Sequence, residues 1–117
     1  MTGRNTSAMS TLEYHVLLAT ANGPLYGYAL KTAVEDESEQ TLTPPAGTLY
    51  RVLARLMTWG LVAEVEPDPV AAPHPGRARK YYGLTAEGSR ALAAEASRLK
   101  GAAAMAEERL RAIAGGR

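Results

Sequence analysis

The stretch PPAGTLYRVLARLMTWG, residues 44 to 60, decides how the rest of this sequence is read. Leu49, Val52, Leu53 and Leu56 fall at i, i+3, i+4 and i+7, which places four apolar side chains along one stripe of an α-helix. The opposite face carries Gly47, Tyr50, Arg51, Ala54, Arg55 and Thr58. Thr43 is a suitable N-cap, and Pro44 and Pro45 fit a first turn whose amides need no intrahelical partner. The helix is expected to run to about Trp59 and to stop at Gly60. A helix of this kind enters a DNA major groove when small residues let its first turns approach and polar ones reach outward. Ala46 and Gly47 supply the room, and Tyr50, Arg51 and Arg55 supply donors. Exposed arginines alone are as readily a solvated face, so the flanking segments decide the matter.

Upstream, residues 1 to 9 are small and polar without periodicity and read as a mobile tail. Ser10 or Thr11 caps a first helix, with Glu13 in its first turn and Leu12, Val16, Leu17 and Leu18 inside. That helix stops before Asn22, Gly23 and Pro24. A second is expected from about Leu25 to Ser38, buried along Tyr26, Leu30, Ala33 and Val34. Gly27 within it weakens the helix relative to alanine, which points to close approach by a neighbouring helix.

Downstream, Leu61 to Glu66 and Lys80 to Leu84 read as two strands. Between them lies a loop with prolines at 67, 69, 73 and 75, stiff and poor in amide donors, which suits the tip of a long hairpin. Thr85 then caps a last helix continuing to about Ala114. Leu92, Ala96, Leu99, Ala103, Ala106, Leu110 and Ile113 repeat along it at alternating intervals of four and three, a heptad stripe. A helix of ~30 residues spans roughly 45 Å, longer than a three-helix core can cover. Its surplus apolar face calls for a second copy of the chain, with the alanines letting the two backbones approach.

Composition narrows the class. A chain of 117 residues with 46% hydrophobic content makes one folded domain rather than a disordered chain. No apolar run reaches membrane-spanning length, the first residues lack the apolar core of a signal peptide, and cysteine is absent, so a cytoplasmic protein is expected. The net charge of +1 does not announce a nucleic-acid binder, but its distribution is uneven. Glu35 to Glu39 carries four acids, whereas Arg77 to Lys80 carries three bases in four residues. In an extended strand Arg79 and Lys80 point to opposite faces, so only part of that cluster can touch DNA together with Arg77. Protection of an exposed sheet edge is the plainer alternative, and DNA contact is the reading preferred over it.

Three motifs resemble one family. The run Gly23 to Tyr28 followed by Leu30 and Lys31 looks like the second-helix signature of the PadR-like transcriptional regulators. Gly47 to Tyr50, then Leu53, Leu56 and Gly60 to Val62, resembles that family's recognition helix and its exit. Gly76 to Tyr82 with Leu84 to Gly88 resembles its wing strand and the start of its last helix. The likeness covers residues 10 to about 95 and is to the shorter members, whose C-terminal part is a single helix. It implies a homodimer on a pseudo-palindromic DNA operator, usually a repressor released by a small-molecule effector. Carried over, Gly47, Thr48, Tyr50, Arg51 and Arg55 belong to the reading helix, and Arg77, Arg79 and Lys80 to the wing. Tyr26 and Lys31 lie where the second helix touches phosphate, but periodicity buries Tyr26 and leaves Lys31. One departure is Met57, Thr58 and Trp59, where relatives carry charge before the Gly-Leu. Trp59 reads either as packing between the recognition and last helices or as the aromatic wall of an effector pocket.

The expected architecture is therefore mainly α with a small β-hairpin: a tail (1–9), a winged helix-turn-helix (10–84) and a C-terminal dimerisation helix (85–117). An enzyme is not expected. His15 and His74 are far apart and lack partnered nucleophiles or carboxylates, and without cysteine they make a poor metal site, so neither metal nor cofactor is called for. The other reading is a winged helix used as a protein-interaction module without specific DNA binding. Against it stands the polar face Tyr50, Arg51, Ala54 and Arg55, where a protein-docking face would be more apolar.

Overall fold

In a computed structural model that describes residues 9–66 and 80–115, the chain opens with α1 (Thr11–Thr20). Ser10 and Glu13 start it by reciprocal capping: Ser10 Oγ accepts from the Glu13 amide at 3.1 Å, and Glu13 Oε1 accepts from the Ser10 amide at 2.8 Å. Met9, read as part of the tail, is instead buried in the core.

Two further helices follow, α2 (Gly27–Glu37) and α3 (Ala46–Thr58). Between α1 and α2 the chain makes a strand of two residues, β1 (Leu25–Tyr26). This corrects the expected helix start at Leu25: Pro24 withholds an amide, and Leu25 and Tyr26 pair with Tyr82 and Tyr81 of a later strand. Tyr26 is half-buried in the sheet, with its ring edge-on to Tyr81 at 5.7 Å, rather than on a helical stripe.

The start of α3 also differs from expectation. Pro44 is buried and Pro45, at φ −60° and ψ 155°, is the N-cap, so both prolines precede the helix. A residue followed by proline is pushed out of the α region, which keeps Pro44 non-helical. Among the described residues no side chain caps α3, so Thr43 does not play that part. The end is as expected and fully satisfied. Gly60 takes φ +79°, its amide bonds Met57 O at 3.0 Å, and the Leu61 amide bonds Leu56 O at 2.9 Å. That is a Schellman closure, with Leu56 and Leu61 both buried beneath it.

The strands β2 (Val62–Val65) and β3 (Tyr81–Leu84) pair antiparallel, Val62 opposite Leu84 and Val65 opposite Tyr81. With β1 they form a three-stranded sheet ordered β1-β3-β2. The hairpin loop between β2 and β3 lies outside the described residues. The core joins Val16 and Leu17 of α1, Leu30 and Val34 of α2, Leu49, Val52, Leu53 and Leu56 of α3, and Leu61, Val62 and Tyr82. The periodic stripes of all three helices thus meet.

The last helix, α4 (Ala86–Gly115), is 30 residues long. Thr85 caps it, its hydroxyl accepting from the Gly88 amide at 2.9 Å and donating to Gly60 O at 2.7 Å. The end of the third helix and the start of the fourth are therefore joined through one side chain. Leu92 packs partly against the protomer's own core, whereas every residue from 97 to 115 is exposed. The radius of gyration, 17.1 Å, exceeds the ~13 to 14 Å of a compact chain this long, because α4 projects from the body. Among the described residues no helix is long and apolar enough to cross a membrane.

Candidate nucleic-acid interface

Burying Leu49, Val52, Leu53 and Leu56 leaves the other side of α3 to solvent. Gly47, Tyr50, Arg51, Ala54, Arg55 and Thr58 are all exposed, with Thr48 half-buried at the edge of this face. Among the described residues a Cβ at Gly47 would meet only the tip of Arg51, at 3.9 Å, so the first turn of the helix is open to an approaching surface.

The two arginines have different surroundings. Arg51 Nη2 donates to Thr48 Oγ1 at 3.3 Å, a weak bond within its own helix that leaves the guanidinium available. Arg55 Nε donates to Glu13 Oε2 of α1 at 3.1 Å, and its guanidinium lies 5.9 Å from the Trp59 ring centroid. Trp59 itself is half-buried against the core.

Tyr50 is 46% exposed, yet its hydroxyl lies over Gly27, where a Cβ would stand 1.8 Å away. The close approach expected at Gly27 is thus made by one side chain of α3 rather than by a helix backbone. Burial, with Tyr50 and Glu64 adding to it, raises the pKa of the Tyr82 phenol above the usual 10.0. The fold therefore favours neutral Tyr82. Its contribution is fully present below pH ~10, where an unfolded tyrosine ionises, and is lost as pH rises through the folded value. Tyr82→Phe should accordingly flatten the loss of stability above pH ~10, read as urea midpoints between about pH 8 and 11. An equally steep loss would show that Tyr82 ionises as easily folded as unfolded.

Of the remaining expected contacts, Lys31 is on α2 with its ammonium 2.6 Å from Glu35, an i,i+4 pair that offsets its charge locally. Lys80 is exposed just before β3. Arg77 and Arg79 lie outside the described residues. One exposed residue was passed over at the sequence level: Tyr28, in the first turn of α2 and 72% exposed. The stripe Leu30, Ala33 and Val34 already put position 28 on the outer side, but the assignment of Tyr26 to that stripe hid it. His15, half-exposed as expected, bonds Thr11 O through Nδ1 at 3.0 Å. On α4, Leu99, Leu110 and Ile113 are 38%, 63% and 70% exposed. Ala103 and Ala106 are exposed beside them, and Ala96 is half-buried.

Comparison with known proteins places this geometry. Residues 16–94 match the transcriptional regulator PadR-like family. An uncharacterized 37.1 kDa protein in a transposon of Streptomyces fradiae is 42% identical over 81 residues; the match takes 69% of this chain but only 21% of that protein's length. A PadR family transcription regulator from Clostridium difficile superposes with a TM-score of 0.70 at 21% identity, over 86% of this chain and 99% of that one. A PadR family regulator from Eggerthella lenta gives 0.62 at 29% identity, over 81% and 80%. Bacillus subtilis PadR, solved in complex with operator DNA, gives 0.58 at 23% identity, over 71% of this chain and 45% of that one. With more than half of its length matched and its winged-helix fold shared, this chain belongs to the PadR-like family of transcriptional regulators.

Proposed function

We propose that this chain binds a specific, pseudo-palindromic operator as a homodimer and represses transcription until a small-molecule effector releases it. The observation carrying the DNA-binding part is the open face of α3, where Gly47 gives room and Tyr50 and Arg51 stand exposed beside it. An arginine so placed can bond a guanine edge bidentately. Lys31 and the exposed Tyr28 supply phosphate contacts from α2, and Lys80, with Arg77 and Arg79, those of the wing. The operator-bound Bacillus relative supports this reading. Repression and effector release follow the family resemblance, with Trp59 the candidate wall of the effector site. No catalytic step or cofactor enters, and the place of action is the cytoplasm.

The homodimer rests on α4. Leu92, Ala96, Leu99, Ala103, Ala106, Leu110 and Ile113 keep a heptad repeat that the protomer covers only at its first positions. A second copy supplies an equal stripe, and the two-fold axis would match the symmetry of the operator.

Selection of bound sequences from random DNA tests the whole, since a palindromic consensus reports both specificity and half-site spacing. Affinity for the selected site should fall steeply with salt. Salt-insensitive behaviour without a consensus would favour a protein-interaction module. Arg51→Ala should weaken specific binding ~10- to 100-fold and leave non-specific binding nearly unchanged. Arg77→Ala should weaken both alike and shallow the salt slope by about one charge. Equal losses at the two positions would overturn this division of labour.

A further inference from the structure

The structure assigns Arg55 a positioning role: it latches the reading helix α3 to α1 through Glu13, rather than reading DNA itself. This rests on the DNA-binding reading above, within which sequence alone had counted Arg55 among the contacts.

Three observations carry it. First, the partner is buried: the Glu13 side chain is 9% exposed, against 45% for Arg55. A carboxylate withdrawn from water holds its cation more firmly than a surface one, because losing the partner leaves an uncompensated charge. Second, both oxygens of Glu13 are engaged. Oε1 takes the Ser10 amide and Oε2 takes Arg55 Nε, so one carboxylate closes the N-terminus of α1 and holds α3 at once. Third, the guanidinium is fixed from another direction as well, lying 5.9 Å from the Trp59 ring at the end of the same helix.

The bond spans 42 residues of sequence and joins the cap of the first helix to the rear half of the third. Arg51, one turn nearer the open end on the same face, has no such tether among the described residues, where its side chain bonds Thr48 of its own helix. The face therefore divides: its front half is open to a groove, and its rear half sets the angle at which that front half is presented. Displacement by as little as ~1 Å matters where a bidentate bond must be met.

The test separates the latch from a phosphate contact. Arg55→Met keeps the stem and removes the charge. Glu13→Gln leaves one acceptor oxygen where two are used. It can still serve the capping box, which sets the amide NH2 against the Arg55 Nε–H and breaks the bond to α1 while the guanidinium stays beside Trp59. A positioning role predicts that the ratio of specific to non-specific affinity falls ~10-fold in Arg55→Met and ~3-fold in Glu13→Gln. The salt slope of binding should stay at its wild-type value in both, and the double variant should be no worse than Arg55→Met alone. Arg55→Met that shallows the slope by about one charge while Glu13→Gln binds normally would overturn the proposal, as would two variants that both bind like wild type. Amide exchange along α3 in the free protein supplies a readout without DNA, faster in both variants. Unchanged exchange would overturn the latch, whereas faster exchange in a chain that selects no DNA sequence would overturn only the DNA-binding reading. Should Arg55→Met fail to fold, Glu13→Gln decides the question.

Discussion

Gly88→Ala should lower the thermal midpoint by roughly 5–10 °C, although the residue lies in a helix where alanine is intrinsically preferred. Propensity alone favours the substitution by ~1 kcal/mol. Against this, a Cβ at position 88 would stand 2.0 Å from Leu61 O and 2.8 Å from Leu84 Cδ1. The first obstacle is backbone and cannot rotate away, so α4 must move by more than an ångström. Overpacking of this kind costs typically ~1–3 kcal/mol, occasionally more. Here it also stretches the Thr85 bonds to Gly60 O and the Gly88 amide. The clash therefore wins. Gly101→Ala is the control on the same helix: among the described residues nothing lies within 4 Å of its Cβ position. That change should stabilise by ~0.5–1 kcal/mol. Calorimetry of the two variants should give shifts of opposite sign, and a midpoint for Gly88→Ala at or above wild type would show that the helix start is not pinned. In the proposed DNA-binding dimer the same displacement would turn the reading head relative to its arm and alter the preferred half-site spacing.

The contrast between these glycines marks where sequence was legible. Thr85 could be read as a cap because hydroxyl, spacing and helix lie within four residues of each other. What Gly88 must avoid is the carbonyl of Leu61, 27 positions earlier in the chain, which no local pattern encodes. The same boundary separates the two arginines. Periodicity put Arg51 and Arg55 on the outer face of α3 correctly, since both are exposed. It could not show that Glu13 would be folded against one and not the other. Similarly, the core stripes of three helices were readable from spacing alone, because burial repeats every 3.6 residues. Strand β1 was not, since two residues carry no period and Tyr26 happened to sit at helical spacing from Leu30. The consecutive prolines at 44 and 45 could be read as a helix start but not its register, which the restriction on a residue preceding proline fixed. The feature most legible in sequence, the heptad stripe of α4, is also the one whose proposed partner is a second chain.

Leu110→Asp should convert the proposed homodimer to folded monomers, with its dissociation constant rising on the order of a thousandfold. In the protomer Leu110 is 63% exposed on a projecting helix, so the substitution removes little of the monomer's own packing. Surface changes of this sort usually alter stability by less than ~0.5 kcal/mol. In a two-fold seam the same change is counted twice. Each copy loses a leucine whose full burial is worth ~2 kcal/mol, and two carboxylates must be drawn out of water into an apolar seam. A loss of ~4 kcal/mol corresponds to a thousandfold change in affinity. Leu92→Asp tells a different story, because Leu92 packs partly against the protomer's own core and its loss should lower the melting temperature as well. Sedimentation or light scattering across a range of concentrations, with circular dichroism to follow the fold, separates the cases. Leu110→Asp should give half the mass with helix content retained, and binding to a full palindrome should fall while a half-site is bound as before. A variant that keeps wild-type mass would place the interface elsewhere than on the stripe from Leu99 to Ile113.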